Sequence, residues 1–86
     1  MNLLSFIHRD QRVTMKIYLT DDHAILLGGL TKILSEEDDM DVVGSSATVK
    51  ETLDDLTRKH VDLLITDYNL PDDDGLSLIR RVKVKY

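Results

Sequence analysis

Three carboxylates stand out by where they fall. Asp21 and Asp22 follow the short segment Lys16-Ile17-Tyr18-Leu19-Thr20, and Asp67 closes the apolar run Leu63-Leu64-Ile65-Thr66. After Asp67 comes a turn-rich stretch, Tyr68-Asn69-Leu70-Pro71-Asp72-Asp73-Asp74-Gly75. A buried strand that delivers one acid to its open end has the form of a site. If the two segments are neighbouring strands, the acids converge on one spot. Like charges at such range repel unless a cation intervenes. A hard divalent ion relieves this, and Mg2+ suits a site of few carboxylates plus water. A carboxylate held there can act as a nucleophile and accept a phosphoryl group. The metal would offset charge on the transferred group.

The elements that must position these acids are visible in the hydrophobic pattern. Lys16–Thr20 reads as a strand. Leu26, Leu27, Leu30, Ile33 and Leu34 recur at helical spacing over residues 24–34. Asp22 is the expected cap of that helix. Gly28 and Gly29 each weaken it by ~1 kcal/mol relative to Ala, which suggests close packing on a sheet. Glu36-Glu37-Asp38-Asp39 reads as a solvated acidic turn. Asp41-Val42-Val43-Gly44 is a second, β-branched strand. Thr48-Val49-Lys50-Glu51 fits a capping box, with hydroxyl and carboxylate each satisfying a backbone donor. Val49, Leu53 and Leu56 then form one face of a helix running to about Lys59. Residues 61–66 form the third strand, and the unbroken Leu63-Leu64-Ile65 predicts burial on both faces. Leu76, Ile79 and Val82 mark a third helix, with Arg80, Arg81, Lys83 and Lys85 placed to complement its C-terminal dipole. The order β-α-β-α-β-α predicts an α/β fold with a parallel sheet and right-handed crossovers. Ligands of such sheets sit beyond the carboxyl ends of the strands.

Composition bounds the function. The 86 residues allow one domain. A net charge of -5 argues against a nucleic-acid surface, which needs clustered Lys and Arg. The absence of Cys excludes disulfides and thiolate metal sites, and fits a cytoplasmic location. No apolar run approaches the ~18 residues of a membrane span. Met1–Ile7 is apolar but lacks the basic start and small-residue cleavage site of a secretory signal. Residues 1–14 are read as an N-terminal extension, with a short helix packed on the domain as the alternative. Residues 15–86 are the domain.

The chain resembles the receiver domain of two-component response regulators, in its NarL/LuxR-type branch. The resemblance runs from Lys16 to about Val82. It rests on Asp21-Asp22-His23 after the first strand, Gly29-Leu30 in the helix and Val42-Val43-Gly44 after an acidic turn. Asp67-Tyr68-Asn69-Leu70-Pro71, followed by Gly75, carries it further. It implies a flavodoxin-like (CheY-like) sheet, here a partial (β-α)3 with strand order 2-1-3. A full receiver resembles five β-α units. The chain is therefore expected to be truncated after the third, with its third strand an unpaired edge open to association. No residue of it answers to the Ser or Thr of the fourth strand or the Lys of the fifth.

The same resemblance implies roles. Asp67 would be the phosphoacceptor, forming an aspartylphosphate. Asp22 would bind Mg2+ directly, Asp21 through water or by shaping the field, and Asn69 through its backbone carbonyl. Pro71 and Gly75 would shape the loop, Pro by its fixed φ and Gly by allowing positive φ. The implied partner is a sensor histidine kinase or a small phosphodonor. Such a segment is a phosphoacceptor rather than an enzyme, and belongs to the N-terminal part of a LuxR-type transcriptional regulator. It does not itself bind nucleic acid.

Two other classes compete. One is a truncated, non-phosphorylated interaction module that pairs with itself or with a full-length regulator. The other is a haloacid-dehalogenase-like phosphatase, whose second Asp is replaced here by Asn69, which cannot serve as general acid. Blander readings cover the remaining polar residues. Asp72-Asp73-Asp74 reads as a solvated turn or cap, His23 as a polar residue at a helix start, and His8 and His60 as surface residues. Tyr18 and Tyr68 read as packing residues. An EF-hand loop in the Asp72–Gly75 region fails, because its first and twelfth positions would be Leu70 and Arg81.

Overall fold

The computed structural model describes residues 3–7 and 14–85, with backbone alone at 6 and 7. The elements are β1 (Leu3–Ile7), β2 (Met15–Thr20), α1 (Ala24–Ser35), β3 (Met40–Ser46), α2 (Val49–Leu56), β4 (Leu63–Asp67) and α3 (Gly75–Lys85). His8 and most of the expected extension lie outside the described residues.

β2 is central and pairs in parallel with β3 on one side and β4 on the other. The parallel strands therefore have the expected order, second-first-third along the chain. A fourth strand is added. β1 runs antiparallel to β4, with Leu3 opposite Asp67 and Ile7 opposite Leu63, so that the sheet reads β1-β4-β2-β3. This corrects two expectations. Residues 3–7 form a strand and not a helix, and β4 is not an edge. The physical reason is common to both. An open strand edge presents unpaired N–H and C=O groups, and a short apolar segment in the same chain satisfies them.

α2 and α3 cover one face of the sheet. Tyr18, Val49, Leu56, Leu64, Leu78 and Val82 form the core there, with Leu53, Val61 and Leu70 packed against it. The other face is covered over β2, where Ile17 and Leu19 are buried, but thinly over β4. α1 packs mainly on β3 and has no buried residue, and Ile25 is 94% exposed. Burial of β4 is correspondingly one-sided: Leu64 and Thr66 are buried, Leu63 and Ile65 only half-buried. Gly28 and Gly29 do not mark close packing, since a Cβ on either would meet nothing within 4 Å.

Gly44 is different. The β2–β3 register shifts between Ile17 and Tyr18, and a Cβ on Gly44 would lie 2.9 Å from the Tyr18 ring. The missing side chain lets the buried tyrosine cross β3. At the opposite end of the sheet from Asp67, the buried Asp62 clasps β2. Its Oδ2 accepts the Lys16 N–H at 2.8 Å, its own N–H donates to the Lys16 carbonyl at 2.7 Å, and Oδ1 lies 2.8 Å from His60 Nε2. His60 is thus engaged in structure rather than merely solvated. α2 stops at Leu56 and not near Lys59, because the Thr57 and Arg58 N–H groups tighten to the carbonyls three residues back, on Asp54 and Asp55.

Candidate functional site

Thr20 of β2 pairs with Thr66 of β4, so the residues that follow, Asp21 and Asp67, leave adjoining strand ends side by side. Donor atoms of Asp21, Asp22, His23 and Asp67 all lie within 4.8 Å of one another. The sequence-predicted acids therefore do converge. Asp67 and His23 also line a cleft with Ile25 and Leu26.

The acids differ in environment. Asp21 is 2% exposed. Its Oδ1 accepts the His23 backbone N–H at 2.8 Å and faces His23 Nδ1 at 2.6 Å. Its Oδ2 is buried without a hydrogen-bond partner among the described residues. A buried carboxylate oxygen left so is costly unless a cation or donor meets it. The Asp67 side chain is 13% exposed and that of Asp22 is 37% exposed.

His23 is the residue that sequence reasoning undervalued. Its Nδ1 lies 3.2 Å from Asp22 Oδ1 and 3.6 Å from Asp67 Oδ2, besides its contact with Asp21. The hydrogen bond to Asp21 and the charges of Asp22, Asp21 and Asp67 hold the imidazole above its usual pKa. His23 is also the N-cap of α1, a place expected for Asp22, yet its side chain makes no capping bond. Both side chains turn to the cluster instead. The adjacent pair of acids was the available signal.

The loop after β4 is held by its own backbone. Asn69 forms an isolated bridge with Asp74, the Gly75 N–H donates to the Tyr68 carbonyl at 2.6 Å, and the Leu70 N–H donates to the Asp73 carbonyl at 3.1 Å. Asn69 is exposed beside the acids, its N–H 3.4 Å from Asp67 Oδ1. Pro71 is exposed within the loop. Gly75 is required for a reason other than the expected one. Its φ is not in the left-handed region, but a Cβ there would run into the Asp67 carbonyl oxygen. Tyr68 is 40% exposed, so it is not a packing residue.

Two of the three acids of the loop, Asp72 and Asp74, act as caps. Asp72 Oδ1 and Oδ2 accept the Val49 and Lys50 N–H groups at the start of α2, at 2.9 and 3.0 Å. Asp74 Oδ1 accepts the Ser77 N–H at 2.7 Å within α3. Asp73 meets Ser77 Oγ at 3.0 Å and Arg81 at 3.2 Å. The expected capping box is only half formed. Thr48 Oγ1 accepts the Glu51 N–H at 3.1 Å, but the Glu51 carboxylate takes the Thr48 hydroxyl and, among the described residues, no backbone donor.

Beneath Asp21 runs a buried chain of hydroxyls that the hydrophobic pattern did not reveal. Thr52 Oγ1 lies 2.7 Å from both Thr20 Oγ1 and Ser46 Oγ, and donates to the Thr48 carbonyl at 2.9 Å. The Asp21 N–H donates to the Ser46 carbonyl at 3.0 Å. Nearby, the Tyr18 hydroxyl donates to Asp55 at 2.6 Å, and burial, then the Asp55 carboxylate, push its pKa far above the usual value.

The family model of the response regulator receiver domain matches residues 17–86. The chain belongs to that family. Among curated relatives it is 33% identical over 66 residues to the DNA-binding transcriptional activator DevR/DosR of Mycobacterium tuberculosis, covering 77% of this chain and 30% of that protein. It is 33% identical over 69 residues to the transcriptional regulatory protein DesR of Bacillus subtilis, covering 80% of this chain and 35% of DesR. The receiver domain of the stress response regulator RcsB from Escherichia coli superposes with a TM-score of 0.72 at 34% identity, over 83% of this chain and 56% of that one. The chain thus spans about a third of the length of these curated relatives. Its receiver fold and its kinship with NarL/LuxR-type regulators follow, and β1 lies outside the matched residues. No helix among the described residues is long and apolar enough to cross a membrane.

Proposed function

We propose that this chain is the phosphoacceptor segment of a two-component phosphorelay, with Asp67 as the acceptor. One observation carries the reading: Asp67 shares a pocket of donor atoms with Asp21 and Asp22, and one buried oxygen of Asp21 has no partner there. An Asp67 oxygen attacks the phosphorus of a phosphohistidine. The P–N bond breaks, the imidazole leaves with the bonding pair, and an acyl phosphate remains on Asp67. A small acyl phosphate serves as donor in the same way, with its carboxylate as leaving group.

The carboxylate oxygens of the cluster suit Mg2+, which would complete its shell with water and, in this reading, the backbone carbonyl of Asn69. Asp21, Asp22 and Asp67 would hold the ion, which when bound neutralises charge on the incoming phosphoryl group. The protein's own part is to hold these carboxylates at adjoining strand ends and to hold the loop by Gly75 and Asp72. Residues 15–86 act in this reading as the N-terminal part of a receiver, in a LuxR-type regulator whose partner is a sensor histidine kinase. Of the residues that precede this segment, Leu3–Ile7 add a strand to its sheet. Pairing with a second copy has weaker support than the sequence implied, because β1 already covers the edge of β4.

The test is phosphorylation with acetyl phosphate and Mg2+, read by intact-protein mass. A gain of one phosphoryl group, lost in Asp67→Asn and on Mg2+ removal, is expected. An unlabelled but folded protein would end the reading. Hydrolysis of a generic phosphomonoester with turnover would favour a phosphatase instead.

A further inference from the structure

We propose that β1 is a guard strand over the acceptor: Leu3 flanks Asp67, so that docking of β1 and phosphorylation of Asp67 oppose one another. This rests on the phosphoacceptor reading and adds a control to it. Leu3 lies directly opposite Asp67 at the end of the β1–β4 ladder. Directly opposed residues of an antiparallel pair point to the same face, with Cβ atoms about 4.5–5.5 Å apart. β4 itself fixes which face that is. Leu64 enters the core under α2 and α3, so Asp67, three residues on, faces the α1 side, where its Oδ2 lies 3.6 Å from His23 Nδ1. Leu3 is carried to that face too, half-buried beside a carboxylate whose side chain is 13% exposed.

The neighbours of Asp67 differ in how firmly they are held. On its loop side the Gly75 backbone is packed against the Asp67 carbonyl. On its β2 side stands the central strand, paired with both β3 and β4. β1 is five residues long and lies at the edge of the sheet, so it opens more readily than these. Phosphorylation puts a group of about two negative charges and three acceptor oxygens on Asp67. The Leu3 side chain has no donor to offer that group, and a charge beside apolar surface loses solvation. Release of β1 returns water to that flank. Whatever β1 docking costs the phosphorylated state, phosphorylation costs β1 docking by the same amount.

The test uses the full chain with acetyl phosphate and Mg2+, where the phosphoryl group passes to an Asp67 oxygen and acetate leaves. Intact mass follows labelling, and hydrogen exchange follows the amides shared by β1 and β4. In labelled wild type these amides should exchange about fivefold faster or more than in unlabelled protein with the same Mg2+. Amides of α2 should be unchanged. Leu3→Ala should be labelled about fivefold faster than wild type, and Ser5→Ala, exposed on the same strand, at the wild-type rate. The exchange measurement needs no variant, so it decides the matter even if Leu3→Ala folds poorly. Labelled wild type whose β1 amides exchange as before overturns the guard and leaves Asp67 as acceptor. Folded Leu3→Ala labelled at the wild-type rate does the same. Folded wild type that takes no label ends the acceptor reading and the guard with it.

Discussion

Asp72 caps the helix that begins at Val49. Its carboxylate accepts the Val49 N–H at 2.9 Å and the Lys50 N–H at 3.0 Å, tying the loop after β4 to the start of α2. The bonds join residues 23 and 22 positions apart, so the cap reports on tertiary assembly as well as on the helix. Loss of solvation works against the charged carboxylate, but the Lys50 and Val49 donors outweigh it and the pKa is lowered. Replacing Asp72 by Ala should destabilise the protein by about 1 kcal/mol, the usual effect of losing such a cap. It should also loosen the loop that carries Asn69. Urea denaturation checks the first, and hydrogen exchange at Val49 and Lys50 checks the second.

The same residue gives a pH prediction. A carboxyl whose folded pKa lies below its ordinary value of 3.8 stabilises the fold above that value. The contribution is lost as pH falls through the depressed folded pKa. Asp73 behaves alike, its carboxyl lowered by the Asp74 N–H and the Ser77 hydroxyl. Thermal unfolding should show stability falling below about pH 4. Asp72→Asn, which cannot change charge, should flatten that acid limb while lowering the plateau. An unchanged acid limb in the variant would show that other carboxylates govern it.

Thr52 tests the buried hydroxyl chain. It bonds Thr20, Ser46 and the Thr48 carbonyl, and is wholly buried. Thr52→Val keeps the volume and removes the hydroxyl, leaving Thr20 and Ser46 each short of a partner. A loss of about 1–3 kcal/mol is expected. Asp21 leaves the sheet through its bond to the Ser46 carbonyl, so the variant should also weaken metal binding. Equal metal affinity in wild type and variant would show that the chain supports only stability.

These residues show where the sequence was sufficient. Period and punctuation located the parallel strands and helices, because burial of an amphipathic face is a local pattern. Asp21, Asp22 and Asp67 were legible because strand ends in an α/β sheet converge by topology. Asp72 and His23 were not, since their partners depend on how loop and helix meet in space. Leu3–Ile7 was illegible for a further reason. Its strand state depends on an open neighbour in β4, and an apolar run of five residues fits helix or strand equally. Thr20 and Thr52 look polar in sequence, yet are buried because each completes the other's hydrogen bonds.

β1 gives a prediction of its own. Removing residues 2–8 would strip the partner strand from β4 and expose its backbone from Leu63 to Asp67. An exposed edge of apolar residues recruits other chains. The truncated protein should self-associate with rising concentration in sedimentation velocity, at concentrations where the full chain does not. A truncated protein that stays monomeric and equally stable would show that β1 contributes nothing to covering the edge.

Two glycine substitutions should act in opposite directions. Gly29 lies exposed in α1 with open space where a side chain would go. Gly29→Ala should stabilise the protein by about 0.5–1 kcal/mol through helix propensity alone. At Gly75 a methyl group would collide with the Asp67 carbonyl, and that atom is backbone at the end of a buried strand. Either the loop or the acceptor must shift. Gly75→Ala should therefore cost about 1–3 kcal/mol, as overpacking does. Because the displaced residue is the proposed acceptor, labelling by acetyl phosphate should fall further than stability explains. The comparison is made at a temperature where both variants are folded by circular dichroism. Gly75→Ala labelled at the wild-type rate would mean that Asp67 keeps its place without the gap.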